Sequence, residues 1–121
     1  MTDHDTFERW VALYRTAWQS NAPADITALF TPDGEYLTAP FDEPWRGHDQ
    51  IVEKWLEYAD QPGDAEFSWK VVGVEGDTGF VEGRTDYRDG RRYANLWVID
   101  LDADGRATRF VEWYMKHPDS A

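Results

Sequence analysis

Residues 80–116 read FVEGRTDYRDGRRYANLWVIDLDADGRATRFVEWYMK, and the fold prediction starts from them. Apolar and polar residues alternate along most of it, which is typical of β-strands rather than of helices. Two turn signals, Asp89-Gly90 and Asp102-Ala103-Asp104-Gly105, divide it into strands at roughly 80–88, 92–101 and 106–116. Because strands joined by such short turns pair antiparallel, the stretch predicts a meander.

Upstream of this meander the apolar period is helical. A first helix carries aromatic residues on one face and is expected to open with a capping box from Asp5 to Glu8. A short second helix covers 25–30, and a third is centred on Ile51 and Trp55. One more strand is expected at 35–39 and another around Phe67. Helices followed by an antiparallel sheet indicate the α+β class.

The composition sets limits on function. The chain has 121 residues, which is the length of one domain spanning 1–121, and 24 acidic against 12 basic residues give a formal charge of −12. Such a surface repels nucleic acids and anionic membranes. No apolar run reaches the ~20 residues that cross a bilayer. An acidic, polar start favours a cytoplasmic protein. The absence of cysteine excludes disulfides and thiolate metal sites.

Aromatic residues are unusually frequent. Seven Trp, six Tyr and six Phe must line a core or a pocket in so short a chain. If Asp89-Gly90 is a two-residue loop, Asp86 faces Tyr93 and Arg84 faces Asn95. A four-residue second loop places Asn95 opposite Glu112. This register predicts one polar-floored face: Glu82, Arg84, Asp86, Tyr93, Asn95, Trp97, Phe110, Glu112 and Tyr114. A one-residue slip would exchange the faces.

The opposite face of the predicted sheet is largely apolar. It carries Leu96, Val98, Val111 and Trp113. Both faces are therefore expected to be covered, one by helices that close a pocket and the other by a second copy of the chain. A homodimer through the outer sheet face follows as the predicted assembly.

The chain resembles the nuclear transport factor 2-like (SnoaL-like) superfamily over essentially its whole length. The resemblance is carried by Leu29-Phe30-Thr31-Pro32-Asp33-Gly34, by Arg46-Gly47-His48-Asp49-Gln50-Ile51 and by Phe110-Val111-Glu112-Trp113-Tyr114-Met115. It implies a cone in which three N-terminal helices pack on a curved antiparallel sheet around a pocket. The fold hosts isomerases, dehydratases, cyclases, epoxide hydrolases and non-catalytic binders, so the fold alone selects no function.

Two family chemistries can be compared with the residues present. Ketosteroid isomerases use a helix-one tyrosine and two acids; Tyr14 matches the tyrosine, but Thr38 and Trp97 stand at the acid positions. Two of the three roles are therefore lost, and ketosteroid isomerase activity is not expected. The site is more similar to limonene epoxide hydrolase, whose arginine-x-aspartate matches Arg84-Thr85-Asp86 and whose second acid falls at Glu112. Tyr36 matches a water-holding tyrosine of those enzymes, and Thr38 replaces an asparagine.

These matches lead to a catalytic hypothesis and to alternatives. Asp86 is expected to act as base, Glu112 as acid and Arg84 as the bridge between them, since one carboxyl must take a proton while the other gives one. A single acid, Glu112 or Asp86, would suffice for the proton transfer of a polyketide cyclase. A non-catalytic binder and a dimeric interaction module stay open. No metal or cofactor is expected; Asp100-Leu101-Asp102-Ala103-Asp104-Gly105 fits a hairpin turn better than a calcium loop.

The partner expected in the pocket is a small hydrophobic molecule. Besides the three catalytic candidates, the predicted substrate-binding residues are Tyr14, Trp18, Tyr36, Thr38, Trp55, Asn95, Trp97, Phe110 and Tyr114.

Overall fold

Six strands form one sheet in a computed structural model that describes residues 3–121. The strands are β1 (Phe30–Leu37), β2 (Trp45–Arg46), β3 (Ala65–Glu75), β4 (Thr78–Tyr87), β5 (Arg92–Leu101) and β6 (Ala107–Lys116). Their order across the sheet is β2-β1-β6-β5-β4-β3. The predicted α+β class and the three strands of the meander are confirmed, with strand ends displaced by two residues at most.

The sheet is not wholly antiparallel, which corrects the expectation. β1 pairs parallel with β6, with Tyr36 opposite Phe110, while every other pair in the sheet is antiparallel. A parallel pair needs a long connection, and here the connection includes a helix and the whole of β3 to β5. The local turn signals therefore carried no information about this pairing.

Three helices accompany the sheet: α1 (His4–Ser20), α2 (Pro23–Thr27) and α3 (Gly47–Glu57). Only α1 and α2 precede the first strand, because α3 lies between β2 and β3. The N-cap of α1 is Asp3, whose carboxylate accepts from the Thr6 backbone N–H at 3.0 Å. The predicted Asp5 capping box is therefore wrong by two residues, since Asp5 already lies inside the first turn.

The helices bury their aromatic stripe against one face of the sheet, called here the inner face. Tyr14 from α1 lies 4.6 Å from Trp97 of β5 and 5.6 Å from Phe110 of β6, between ring centroids. Trp55 from α3 completes the contact at 5.1 Å from Tyr14. Aromatic pairs add about 0.5–1.5 kcal/mol each beyond the area they bury. This cluster fixes α1 and α3 over β5 and β6.

The register of the β4–β5 hairpin differs from the prediction by one residue. Asp86 pairs with Arg92 and Thr85 with Tyr93. The Tyr87 backbone N–H donates to the Arg91 carbonyl at 2.8 Å, so three residues, 88–90, form the loop. Gly90 has φ of 95°, the left-handed conformation that a three-residue hairpin needs at its last loop position. The two-residue turn was the wrong choice between two common loops.

This single-residue change reverses the faces of β4. Val81, Gly83 and Thr85 lie on the inner face, and Glu82, Arg84 and Asp86 lie on the outer face.

The β5–β6 hairpin differs from the prediction by two residues. Trp97 pairs with Glu112 and Asn95 with Tyr114, whereas the prediction placed Asn95 opposite Glu112. Since side chains alternate with a period of two, this shift leaves every residue on its predicted face. Asn95, Trp97 and Glu112 consequently share the inner face, as expected.

Close packing of α1 on β4 predicts a strong effect at Gly79. A Cβ atom at this position would lie 2.3 Å from Cδ1 of the fully buried Phe7, so one of the two elements must move. Gly79→Ala should lower the free energy of unfolding by about 1–3 kcal/mol, measured by urea denaturation. Gly73→Ala is the matched control, because its nearest neighbour, Phe80, would lie at 3.7 Å. Equal stability of the two variants would contradict the described packing.

Candidate ligand pocket

A cavity of about 520 Å³ lies between the helices and the inner face of the sheet. Ten of its lining residues are aromatic: Tyr14, Trp18, Tyr36, Trp45, Trp55, Tyr58, Tyr87, Tyr93, Trp97 and Tyr114. The remaining lining residues are Asn21, Thr38, Ala59, Asp60, Thr85, Arg91, Asn95 and Glu112. Its volume lies within the ~300–1,000 Å³ range of small-molecule sites.

Eight of the nine predicted substrate-binding residues line this cavity: Tyr14, Trp18, Tyr36, Thr38, Trp55, Asn95, Trp97 and Tyr114. Phe110 does not. It is fully buried beneath the cavity, where its ring packs on Trp10, Tyr14, Tyr36 and Trp97. Phe110 is on the predicted face, but larger rings cover it.

The predicted catalytic cluster is not assembled. Arg84 Nε lies 3.2 Å from a carboxylate oxygen of Asp86, but both side chains are on the outer face, 58% and 37% exposed. Neither lines the cavity, and Glu112 lies on the inner face. The reason is the one-residue register error in β4. An exposed pair of this kind contributes ~0–1 kcal/mol to stability, and the resemblance to limonene epoxide hydrolase loses two of its residues.

Glu112 is the acid at the floor of the cavity. Asn95 Nδ2 donates to both of its carboxylate oxygens, each at 3.3 Å, and Asn95 Oδ1 accepts from Thr85 Oγ1 at 2.7 Å. Burial raises the pKa of Glu112 to about 7, although the N–H groups of Trp97 and Asn95 partly oppose this by favouring the charged form. The carboxyl can therefore give or take a proton near neutral pH.

The indole N–H of Trp97 is a buried donor beside Glu112. It is near enough to Glu112 to favour the charged carboxyl, yet among residues 3–121 no acceptor lies at the distance and angle of a hydrogen bond to it. A buried donor without a partner costs free energy unless water or a ligand accepts from it. Trp97 lines the cavity, so such an acceptor has access to it.

Tyr14 and Tyr36 form a second polar feature near Glu112. Their hydroxyl oxygens are 2.7 Å apart. Burial, together with the nearby negative charge of Glu112, raises the pKa of each phenol well above its ordinary value. Both hydroxyls therefore keep their protons. Since one donates to the other, the pair retains one O–H that can donate to a third group.

A second acidic residue, Asp60, also lines the cavity. Its Oδ2 accepts from Trp18 Nε1 at 3.0 Å and from Tyr87 Oη at 3.4 Å. Its backbone carbonyl accepts from Asn21 Nδ2 at 3.0 Å. Burial and the negative charge of Asp60 are the two largest causes that raise the pKa of Tyr87 to about 12. Asp60 is thus fixed in place by neutral donors.

Several lining residues were missed from sequence, for different reasons. Thr85 and Tyr87 follow from the correct β4 register, and Gly90 was the signal for the three-residue loop that sets it. Asp60 lies three residues after the end of α3, where the helical apolar period has stopped. No periodic signal marks Trp45, whose ring stacks on Tyr36 at 4.7 Å.

Two kinds of feature are absent from the described part of the chain. No three His, Cys, Asp or Glu side chains of residues 3–121 are grouped so that they could hold a metal ion. Nor is any helix there long and apolar enough to cross a membrane.

The chain is similar to known proteins in its family and in its fold. The sequence model of the SnoaL-like domain family matches residues 9–115. No curated protein matches the chain significantly. A candidate ketosteroid isomerase from Kribbella flavida has 19% sequence identity and superposes with a TM-score of 0.74. The alignment covers 100% of this chain and 86% of the Kribbella chain.

Two further solved structures are similar. An NTF-2-like protein of unknown function from Burkholderia xenovorans has 11% identity, coverage of 97% and 88%, and a TM-score of 0.74. A ketosteroid isomerase-like protein from Erwinia carotovora has 20% identity, coverage of 93% and 95%, and a TM-score of 0.63. Identities this low show a shared fold.

Burial of Glu112 predicts a pH-dependent stability. The folded chain keeps a proton on Glu112 up to a pKa of about 7, whereas the ordinary value is 4.5. The stabilisation that this proton provides is complete below pH 4.5 and is lost as the pH rises through 7. Over this range the free energy of unfolding should fall by roughly 3 kcal/mol. Glu112→Gln should therefore gain stability relative to the native protein between pH 4.5 and pH 8, measured by urea denaturation.

The control for this experiment is Glu53→Gln, which removes an exposed carboxyl on α3. If the two variants show the same pH dependence, Glu112 is not the buried proton-binding group described here.

Proposed function

The chain belongs to the SnoaL-like domain family, and on that premise we propose that its cavity binds a small, mostly apolar molecule on which Glu112 performs proton transfer. The observation that carries the proposal is the position of Glu112: a mostly buried carboxyl at the floor of an aromatic cavity, with a pKa of about 7. A general acid or base works best when its pKa lies near the working pH. Such perturbed groups in clefts are typical of functional sites.

The remaining groups at the floor suit one reaction type. Ionised Glu112 takes a proton from a carbon next to a carbonyl, and the carbonyl oxygen becomes negative. The free O–H of the Tyr14–Tyr36 pair and the N–H of Trp97 supply donors for that oxygen. Donors aimed at developing charge in a site that excludes water are a major source of rate enhancement.

The proton held by Glu112 completes the cycle in either of two ways. It returns to a different carbon, which is an isomerisation, or it protonates the new alkoxide after the enolate attacks a second carbonyl of the same molecule, which is a ring closure. Neither route needs a group that the chain does not supply. The names of the Kribbella and Erwinia proteins are consistent with the first route.

Epoxide hydrolysis has weaker support. It needs a base for water and an acid for the leaving oxygen, held together by a bridging cation. Glu112 is the single carboxyl at the floor, and Asp60, the other lining acid, bonds instead to Trp18 and Tyr87. Arg84 lies on the outer face and bridges neither.

A non-catalytic binder is the second candidate, and one contact favours it. Asn95 Nδ2 is shared between both oxygens of Glu112, which restrains the carboxyl in one orientation. A restrained, protonated carboxyl would orient a ligand by hydrogen bonding without transferring its proton.

Hydrogen exchange on a simple carbon acid separates these two candidates. The native protein should accelerate exchange of the α-hydrogens of 2-indanone in D₂O, followed by proton NMR. Glu112→Gln should reduce the catalysed rate by about 10²-fold or more, because general-base catalysis contributes ~10²–10⁴-fold. Binding, followed by tryptophan fluorescence, should be retained. Asp86→Asn, which removes an acid of the outer face, is the control and should keep the native rate.

If Glu112→Gln exchanges 2-indanone as fast as the native protein, Glu112 is not the base. Binding of 2-indanone without any acceleration of exchange by the native protein would favour the non-catalytic binder.

We further propose that two copies of the chain associate through the outer sheet face. Leu96 and Trp113 are paired neighbours there and are 39% and 48% exposed. Val98 and Val111 pair beside them and are more deeply buried. Adjacent exposed apolar side chains on a sheet face favour a protein interface.

The assembly can be tested by light scattering after gel filtration. The native protein should elute with twice the chain mass of 14.1 kDa. Trp113→Asp should elute as a monomer because the charge would be buried at the interface. Leu13→Asp, which changes an exposed apolar residue on α1, is the control and should remain dimeric. A dimeric Trp113→Asp would exclude this face as the interface.

A further inference from the structure

We propose that the cavity is selective for an organic cation, a small apolar molecule whose ammonium group lies against Asp60 and the aromatic wall. This inference rests on the proposed binding of a small molecule in the cavity and names the class of that molecule. The new claim is that the ligand carries a positive charge, a property that neither the family nor the fold specifies.

The aromatic wall is formed by Tyr36, Trp45 and Tyr58. The ring of Trp45 is nearly parallel to that of Tyr36, with centroids 4.7 Å apart, and to that of Tyr58, with centroids 6.2 Å apart. All three rings line the cavity. The face of an aromatic ring carries partial negative charge, so clustered faces attract quaternary and protonated amines more than neutral groups of equal shape.

Asp60 is an acidic residue of the cavity lining, and its side chain bonds to two aromatic residues of the same lining, Trp18 and Tyr87. Its two side-chain hydrogen bonds come from the neutral groups Trp18 Nε1 and Tyr87 Oη, and both go to Oδ2. Within the described chain, Asp60 has no ion-pair partner, and no hydrogen bond reaches Oδ1. The donors fix the carboxylate without neutralising it, which leaves one oxygen for a ligand cation.

The one basic side chain among the lining residues does not cancel this charge. Arg91 Nε forms an ion pair with Asp89 at 2.8 Å, and its guanidinium lies over the ring of Tyr87, 4.2 Å from the centroid. Asp89 therefore already balances the charge of Arg91. An anionic ligand would meet an occupied arginine, an unpaired carboxylate and Glu112.

The net charge of the whole chain also favours a cationic ligand. A formal charge of −12 raises the local concentration of cations and lowers that of anions. For the proposed reaction, the substrate would carry its ammonium group at Asp60 and its carbonyl group at the floor with Glu112.

Two probes of equal shape test the inference directly. Phenyltrimethylammonium and tert-butylbenzene differ in the replacement of a charged nitrogen by carbon. Their binding should be measured by tryptophan fluorescence at pH 5.5, where Glu112 is mostly protonated because its pKa is about 7. A preference for the cation at this pH therefore does not come from ionised Glu112. The native protein should bind the cation at least tenfold more tightly than the neutral probe.

Two variants assign the preference to its source. Asp60→Asn keeps an acceptor for Trp18 and Tyr87 but removes the charge, and it should reduce the preference below threefold. Glu53→Gln removes one charge from the exposed surface of α3, outside the cavity, and should keep the tenfold preference.

Each of the other possible results contradicts a specific part of the proposal. A preference that survives Asp60→Asn removes Asp60 from the site. Equal binding of both probes by the native protein refutes selectivity for a cation and leaves the proposed small-molecule pocket intact. Binding of neither probe at millimolar concentration refutes both this inference and the proposed pocket.

Discussion

The hydrogen bond from the Tyr87 backbone N–H to the Arg91 carbonyl determines which side chains the cavity contains. It closes a three-residue loop, and from that point the pairing of β4 with β5 is fixed residue by residue. With this register Thr85 reaches Asn95, and Arg84 and Asp86 face outward. A loop one residue shorter would bring three more charged residues, Glu82, Arg84 and Asp86, beneath the helices. The loop at residues 88–90 therefore determines which β4 side chains line the cavity.

Glu112 shows how the fold sets the proton affinity of a single carboxyl. Removal from water raises its pKa, while the N–H groups of Trp97 and Asn95 lower it, and burial has the larger effect. The result is a group that exchanges its proton near neutral pH. Asp60 lies in the same cavity with different neighbours, because its side chain accepts from Trp18 and Tyr87. Two acids of one cavity thus have different surroundings.

Aromatic residues serve both the core and the cavity, and Tyr14 shows why the two cannot be separated. Its ring packs on Trp97 and Phe110, while its hydroxyl bonds to Tyr36. Large flat rings leave irregular space where they meet, and polar atoms at their edges point into that space. The same side chains therefore stabilise the helices on the sheet and present hydrogen-bonding groups to a ligand.

From the sequence one can predict the α+β class, the extent of the meander strands, the aromatic face of α1 and the sharing of one face by Asn95, Trp97 and Glu112. These features follow from periodicity, which is local and survives a shift of two residues. Tertiary contacts set the parallel pairing of β1 with β6, the face on which Arg84 and Asp86 lie, and the place of Asp60 in the cavity. A strand face depends on one residue of loop length, and Asp89-Gly90 fits both a two-residue loop and a three-residue loop that ends in glycine. Contacts between distant segments, such as Asp60 with Tyr87, arise from packing and leave no periodic signal in the chain.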